Sequence, residues 1–176
     1  MQSCDSATGS APSIAQVFAA QAKLSAKPSK RPLPHKRPPD AERLAPRPFD
    51  IDEQTFLQVA RAYVCNTNSG ANANREEIAY TEARQYFEAQ HWEEAGTLFH
   101  DIAVGAPSDV AIYAALLSLE AFNVLATKFN RPDCYETLAA HLDEYIARLC
   151  TRTDANDGEQ CKTLKTVKED LQKLRR

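Results

Sequence analysis

Residues 76–107, EEIAYTEARQYFEAQHWEEAGTLFHDIAVGAP, read as two helices joined by a tight turn. Ala83 and Tyr86 stand three apart, Ala95 and Phe99 four apart, and Pro107 closes the unit. Two antiparallel helices approach closely only where one side chain is small, so Ala83 and Ala95 mark the crossing. Tyr86, Trp92 and Phe99 then fill the space beside it with large apolar surfaces. Asn74 followed by Glu77 has capping-box spacing and predicts a helix starting near residue 75. Gln90-His91 interrupts the run, and Glu93-Glu94 restart it with carboxylates at the positive end of a helix dipole. Pro107 biases Ala106 out of the helical region and ends the second helix.

Working outward, the same kind of pattern continues on both sides. Phe56, Val59, Ala60, Tyr63 and Val64 predict an amphipathic helix over 51–65, headed by Asp50 or Asp52. Residues 109–128 are apolar all round, as in a central buried helix, and Asn123 within them would need a hydrogen-bond partner. Asp133 with Glu136 opens a helix over 133–150, and Cys161, Leu164 and Leu171 form a narrow stripe on a last helix over 158–175. At the other end, residues 1–48 predict a disordered, low-complexity tail. It holds one short amphipathic helix over 13–24 and a Pro-rich, Lys/Arg-bearing linker over 27–48. Isolated helices this short are marginal, so a transient helix without fixed contacts is expected there.

Only five glycines against six Tyr, seven Phe and one Trp favour an all-α body with a real core. The net charge of −3 conceals an asymmetry. Residues 1–48 carry +5, residues 49–161 carry −12 and residues 162–176 carry +4. An acidic body argues against nucleic acid binding by the folded part, whereas the basic tail could touch a membrane surface or an acidic partner. No transmembrane span is expected, since no uninterrupted apolar run approaches the roughly 18 residues that a bilayer needs. The sequence shows no signal peptide, which suggests the cytoplasm. An upstream segment would instead suggest a periplasmic or cell-envelope protein, with Cys4 as a lipid-bearing residue.

The chemistry-bearing residues form no catalytic set. The histidines, His35, His91, His100 and His141, have no metal-ligand spacing, and surface positions are expected for them. The cysteines contain no CxxC, and the glycines form no phosphate loop. Neither an enzyme nor a cofactor or metal site is therefore expected. A bridge between Cys150 and Cys161 would close a short loop and tie two helices, which chain entropy makes worth roughly 2–4 kcal/mol. Unpaired, buried thiols are the equal alternative.

The order small, aromatic, small, aromatic, proline over 76–107 resembles the 34-residue tetratricopeptide (TPR) repeat, with Ala79 in place of the usual Trp and Glu82 in place of the usual Leu. One repeat length later stand Tyr113 and Leu116, but Tyr135 follows Trp92 by 43 residues, so the second repeat is stretched. The pair Asp133-Cys134 before Tyr135 is similar to TPR-like proteins of bacterial cell envelopes. The resemblance implies a short helical hairpin stack of about six helices over 49–176, acting as a protein-interaction scaffold or adaptor. Its first helices would line a groove for a partner protein or peptide, placing Glu77, Tyr80, Arg84, Phe87 and Glu88 with Ser118 and Phe122 on the binding face. The alternative is a structural envelope component, periplasmic or lipid-anchored, stapled by disulfides.

Overall fold

The computed structural model describes residues 4, 11–25, 40–67, 73–105, 108–151 and 158–174. Among them the only regular elements are helices: α1 (Ile14–Ser25), the short α2 (Asp40–Arg43), α3 (Ile51–Asn66), α4 (Ala73–Glu88), α5 (Trp92–Val104), α6 (Ala111–Lys128), α7 (Asp133–Leu149) and α8 (Gly158–Leu174). From α3 onward each helix packs on its successor, while α1 lies on α3, α5 also reaches α7, and α6 reaches α8. The six helices of the body are thus a series of hairpins laid side by side around one continuous core.

Local chemistry explains where the helices begin and turn. Asp50 caps α3 by accepting from the backbone N–H groups of Asp52 and Glu53, while Glu53 accepts from the Asp50 N–H at 2.8 Å. The reciprocal pair satisfies donors that the first helical turn would otherwise leave open. Between α4 and α5 the chain reverses through Gln90, whose φ of 67° lies in the left-handed region. The Gln90 N–H donates to Phe87 C=O and the His91 N–H to Tyr86 C=O, the bond pattern of a Schellman helix end. Glycine usually occupies such a position because it has no Cβ. Gln90 is held there instead by its side chain, whose Nε2 donates to Arg43 C=O at 2.7 Å.

That bond belongs to a strap formed by residues 43–49 across the turn. Trp92 Nε1 donates to Leu44 C=O at 2.8 Å, the Arg47 N–H donates to Ala89 C=O, and His91 Nε2 lies 2.8 Å from Arg47 C=O. Because a carbonyl only accepts, His91 carries its proton on Nε2 in this contact. Phe49 stacks on the His91 ring at 4.6 Å and meets Tyr86 edge-on at 5.2 Å. Arg47 then grips both oxygens of Glu53 at 2.8 and 2.6 Å. The C-terminal end of the expected tail is therefore part of the fold, and His91 is a packed residue rather than a surface one. The short N-terminal helix is corrected in the same way. Its Val17 is fully buried and Ala20 nearly so, and Cys4 is bonded to Cys65 of α3. The rest of the expected disordered tail, 1–3, 5–10 and 26–39, lies outside the described residues, as do 68–72 and Pro107.

The central helices α5 and α6 meet at Gly96. A Cβ there would stand 2.9 Å from one ring carbon of Phe122 and 3.1 Å from the next. The missing side chain is what lets the Phe122 ring lie against α5. In length and composition α6 would suit a bilayer span, yet 56% of it is buried in the fold, where it packs on α5 and α7. Asn123 falls on its exposed side, so no buried amide needs a partner. Between α7 and α8 the chain is closed by the Cys150–Cys161 bridge, and Leu164 is fully buried beside it.

Substituting Gly96→Ala should force the buried Phe122 ring off its position. Overpacking of this kind costs about 1–3 kcal/mol, which chemical denaturation will read as a lower midpoint at unchanged slope.

Candidate functional site

The α4–α6 side of the stack carries the surface expected to bind a partner, but only part of the expected set lies on it. Glu77, Arg84 and Glu88 are exposed on α4, with Arg84 reaching Glu88 at 2.6 Å one turn away. Tyr80 is half-buried. Its ring rests 5.5 Å from Phe99, while its hydroxyl is near enough to Arg84 and Tyr113 for both to influence its ionisation. Burial dominates and pushes that phenol above its ordinary pKa. Phe87 points inward, edge-on to Trp92 at 5.0 Å and to Phe99 at 6.1 Å, so only its margin can meet a ligand.

Ser118 and Phe122 do not face a partner. They are 0% and 7% exposed, and Ala114, on the same stripe, is fully buried. The reason is the register of α6. Because α5 and α7 both pack on it, its buried stripe is broad and includes Ala111, Ala114, Ala115, Ser118, Phe122 and Leu125. What remains open is the line Tyr113, Glu120, Asn123 and Thr127, with Leu117 half-buried beside it. Tyr113 is 49% exposed, one of the few large apolar side chains at the surface among the described residues. The aromatic partner of Tyr80 and Arg84 on this face is thus Tyr113, which a helical wheel of α6 alone could not select because apolar residues surround that helix.

Beneath this face runs a chain of buried polar groups that joins three helices. Ser118 Oγ of α6 donates to Gly96 C=O of α5 at 2.8 Å, and the Tyr145 hydroxyl of α7 donates to Ser118 Oγ at 2.9 Å. His100 Nδ1 of α5 lies 3.0 Å from the same Tyr145 oxygen. Since the Tyr145 proton is already committed, His100 supplies the hydrogen, which fixes its proton on Nδ1. On its other side the His100 ring stacks on His141 of α7 at 3.7 Å, and the edge of Phe122 meets His141 at 5.3 Å. These two histidines, expected at the surface, are packed together. Burial lowers both pKa values, and the charge of His100 adds to the effect at His141, which is pulled down to about 4. Burial also pushes the Tyr145 hydroxyl well above its usual value.

A second buried ionisable group lies between α4 and α3. Glu82, at the place where the repeat pattern usually carries Leu, is 1% exposed, with Arg61 of α3 at 4.0 Å. Desolvation outweighs Arg61 and pushes its pKa up to about 7. The remaining thiol, Cys134, is buried, and desolvation raises its pKa, so it behaves as a small apolar residue. Among the described residues no cluster of three or more His, Cys, Asp or Glu is placed to hold a metal.

No known protein family, curated protein or solved structure matches this chain.

Glu82 makes stability depend on pH in a defined direction. The unfolded chain loses this proton near the ordinary carboxyl value, while the folded chain keeps it to about pH 7, so stability falls as pH rises between those points. The loss reaches at most about 3 kcal/mol by linkage. Glu82→Leu should therefore raise the melting temperature at pH 8 clearly more than at pH 4.5, as calorimetry at both values will measure.

Proposed function

We propose that this protein is an interaction module that holds a segment of a partner protein along the α4–α6 face. The observation that carries this reading is the exposed Tyr113 beside Tyr80 and Arg84 on neighbouring first helices of successive hairpins. Tyrosine and arginine are the residue types most often responsible for binding energy at protein interfaces, because each combines a large contact area with hydrogen-bonding ability. The face is rigid. Tyr80 is backed by Phe99, and Leu117 and Tyr113 stand on a helix packed on both sides, so little ordering is needed on binding. The stacked hairpins and the TPR-like spacing of residues 76–107 support the same assignment. The site would comprise Tyr80, Arg84 and Tyr113 at its centre, flanked by Glu77, Glu88 and Glu120.

Replacing Tyr80, Arg84 and Tyr113 together by Ala should weaken capture of the native partner at least about tenfold. Far-ultraviolet circular dichroism must stay unchanged in the same protein. Undiminished capture by a well-folded variant would remove the α4–α6 face from consideration.

The two disulfides favour a second reading, a stapled component of an oxidising compartment such as a cell envelope. In this reading Cys4 is a structural residue, since a sulfur bonded to Cys65 is not available to a lipid thioether. Protein taken from its native source and denatured without reductant should then show one reactive thiol, that of Cys134. Five reactive thiols, the full cysteine count, would rule the oxidising compartment out.

A further inference from the structure

We propose that the His100–His141 stack is an acid-sensitive latch that holds the α7–α8 hairpin against α5 and α6. The two rings lie nearly parallel, 12° apart with centroids at 3.7 Å, and they make a direct side-chain contact between α5 and α7. The hydrogen-bond inventory of His141 disfavours a charged ring. His100 Nδ1 already gives its proton to Tyr145, and His141 Nδ1 is buried with no hydrogen-bond partner among the described residues. A proton added to that nitrogen would be a charged donor with nothing to receive it. A proton on each ring would set two like charges face to face.

The surroundings offer little compensation. From α7, Glu144 acts on both rings, and from α5, Asp101 acts on His100. Glu144 is already engaged by Arg148 at 3.0 Å, and Arg148 opposes a charge on His100. From α6 the neighbours are the Phe122 ring edge and the Ser118 hydroxyl, the latter reached through Tyr145. On the α8 side, Lys168 is paired with Asp143 at 2.7 Å. Opening the α5–α7 contact would return both imidazoles to water, where they accept protons readily. Acid therefore favours the open form.

Other contacts decide what opens. Besides the rings and the Tyr145 hydroxyl, α7 is tied to α5 by Arg148 Nη1, which donates to Val104 C=O at 2.7 Å. In contrast, α7 and α8 are linked covalently through Cys150–Cys161. The hairpin α7–α8 is thus the unit that separates, while α3 and α4 respond in the other direction because Glu82 gains a proton as the pH falls.

Segment-resolved hydrogen exchange on the whole chain, at pH 7.5 and pH 5.0 with labelling times scaled for intrinsic chemistry, tests the latch. In the wild-type protein the opening of α7 and α8 should rise at least about tenfold at pH 5.0, as linkage to the two histidines requires. The α3–α4 segments should show no such rise. His141→Phe, which keeps a ring in the stack, should cut the acid response to the residual share of His100. Equal protection of α7–α8 at the two pH values, or an acid response undiminished in His141→Phe, would overturn the latch. Should that variant not fold, histidine ring-proton titration of the wild-type chain decides. Two coupled midpoints below the ordinary histidine value, tracked by α7 amide shifts, support the latch, and ordinary independent midpoints overturn it.

Discussion

The close approach of α5 and α6 at Gly96 is the constraint on which the rest of the molecule is built. With no side chain at that position, the Phe122 ring settles against α5, and Ser118 comes near enough to bond the Gly96 carbonyl. That bond orients the Ser118 oxygen to accept from Tyr145, so the position of α7 follows from the gap between α5 and α6. Tyr145 in turn presents its oxygen to His100, and the two stacked histidines complete the contact. Each member of the chain is buried or half-buried. Satisfied networks of this kind specify one arrangement, since any shift leaves a polar atom unpaired in a dry environment.

The turn between α4 and α5 shows a different solution to a local cost. A left-handed Gln90 is less favourable than a glycine at the same place, and the strap supplies the reason for it. Glycine could make the turn but could not bond Arg43, and the reversal would lose one of its links to residues 43–49. Trp92 and His91 add the other side-chain links, and Phe49 fills the space between them. Through Arg47 and Glu53 the same strap reaches the capping box of α3. Three helix ends are therefore fixed by one short piece of irregular chain.

This contrast explains what the sequence made legible. Helix positions and the all-α class follow from spacing, because a 3.6-residue period leaves a direct trace. The start of α3 was narrowed to Asp50 or Asp52, and the reciprocal bonds with Glu53 make the cap Asp50. The strap was not, since irregular backbone bonded through carbonyl groups has no period, and Trp92 reads simply as an apolar residue. His100 and His141 stand far apart in the chain, and their meeting depends on α5 reaching past α6 to α7. On α4, Glu77, Arg84 and Glu88 are exposed where the repeat frame puts them and Phe87 turns inward, whereas the open positions of α6 are displaced. That helix is apolar on every side, so only packing distinguishes Ser118, inside, from Tyr113, outside.

The two buried ionisable sites act in opposite senses at opposite ends of the stack. Glu82, between α4 and α3, is neutral in acid and becomes an unfavourable buried charge as the pH rises. The histidine pair, between α5 and α7, is neutral at higher pH and becomes unfavourable in acid. Lowering the pH therefore strengthens the α3–α4 end while it weakens the α7–α8 end, and raising it does the reverse. The α4–α6 face lies between these two ends. Its α4 half is backed by the helix pair that acid stabilises, and its α6 half by the hairpin that acid loosens. A partner held across both halves would consequently feel pH through the packing of α6.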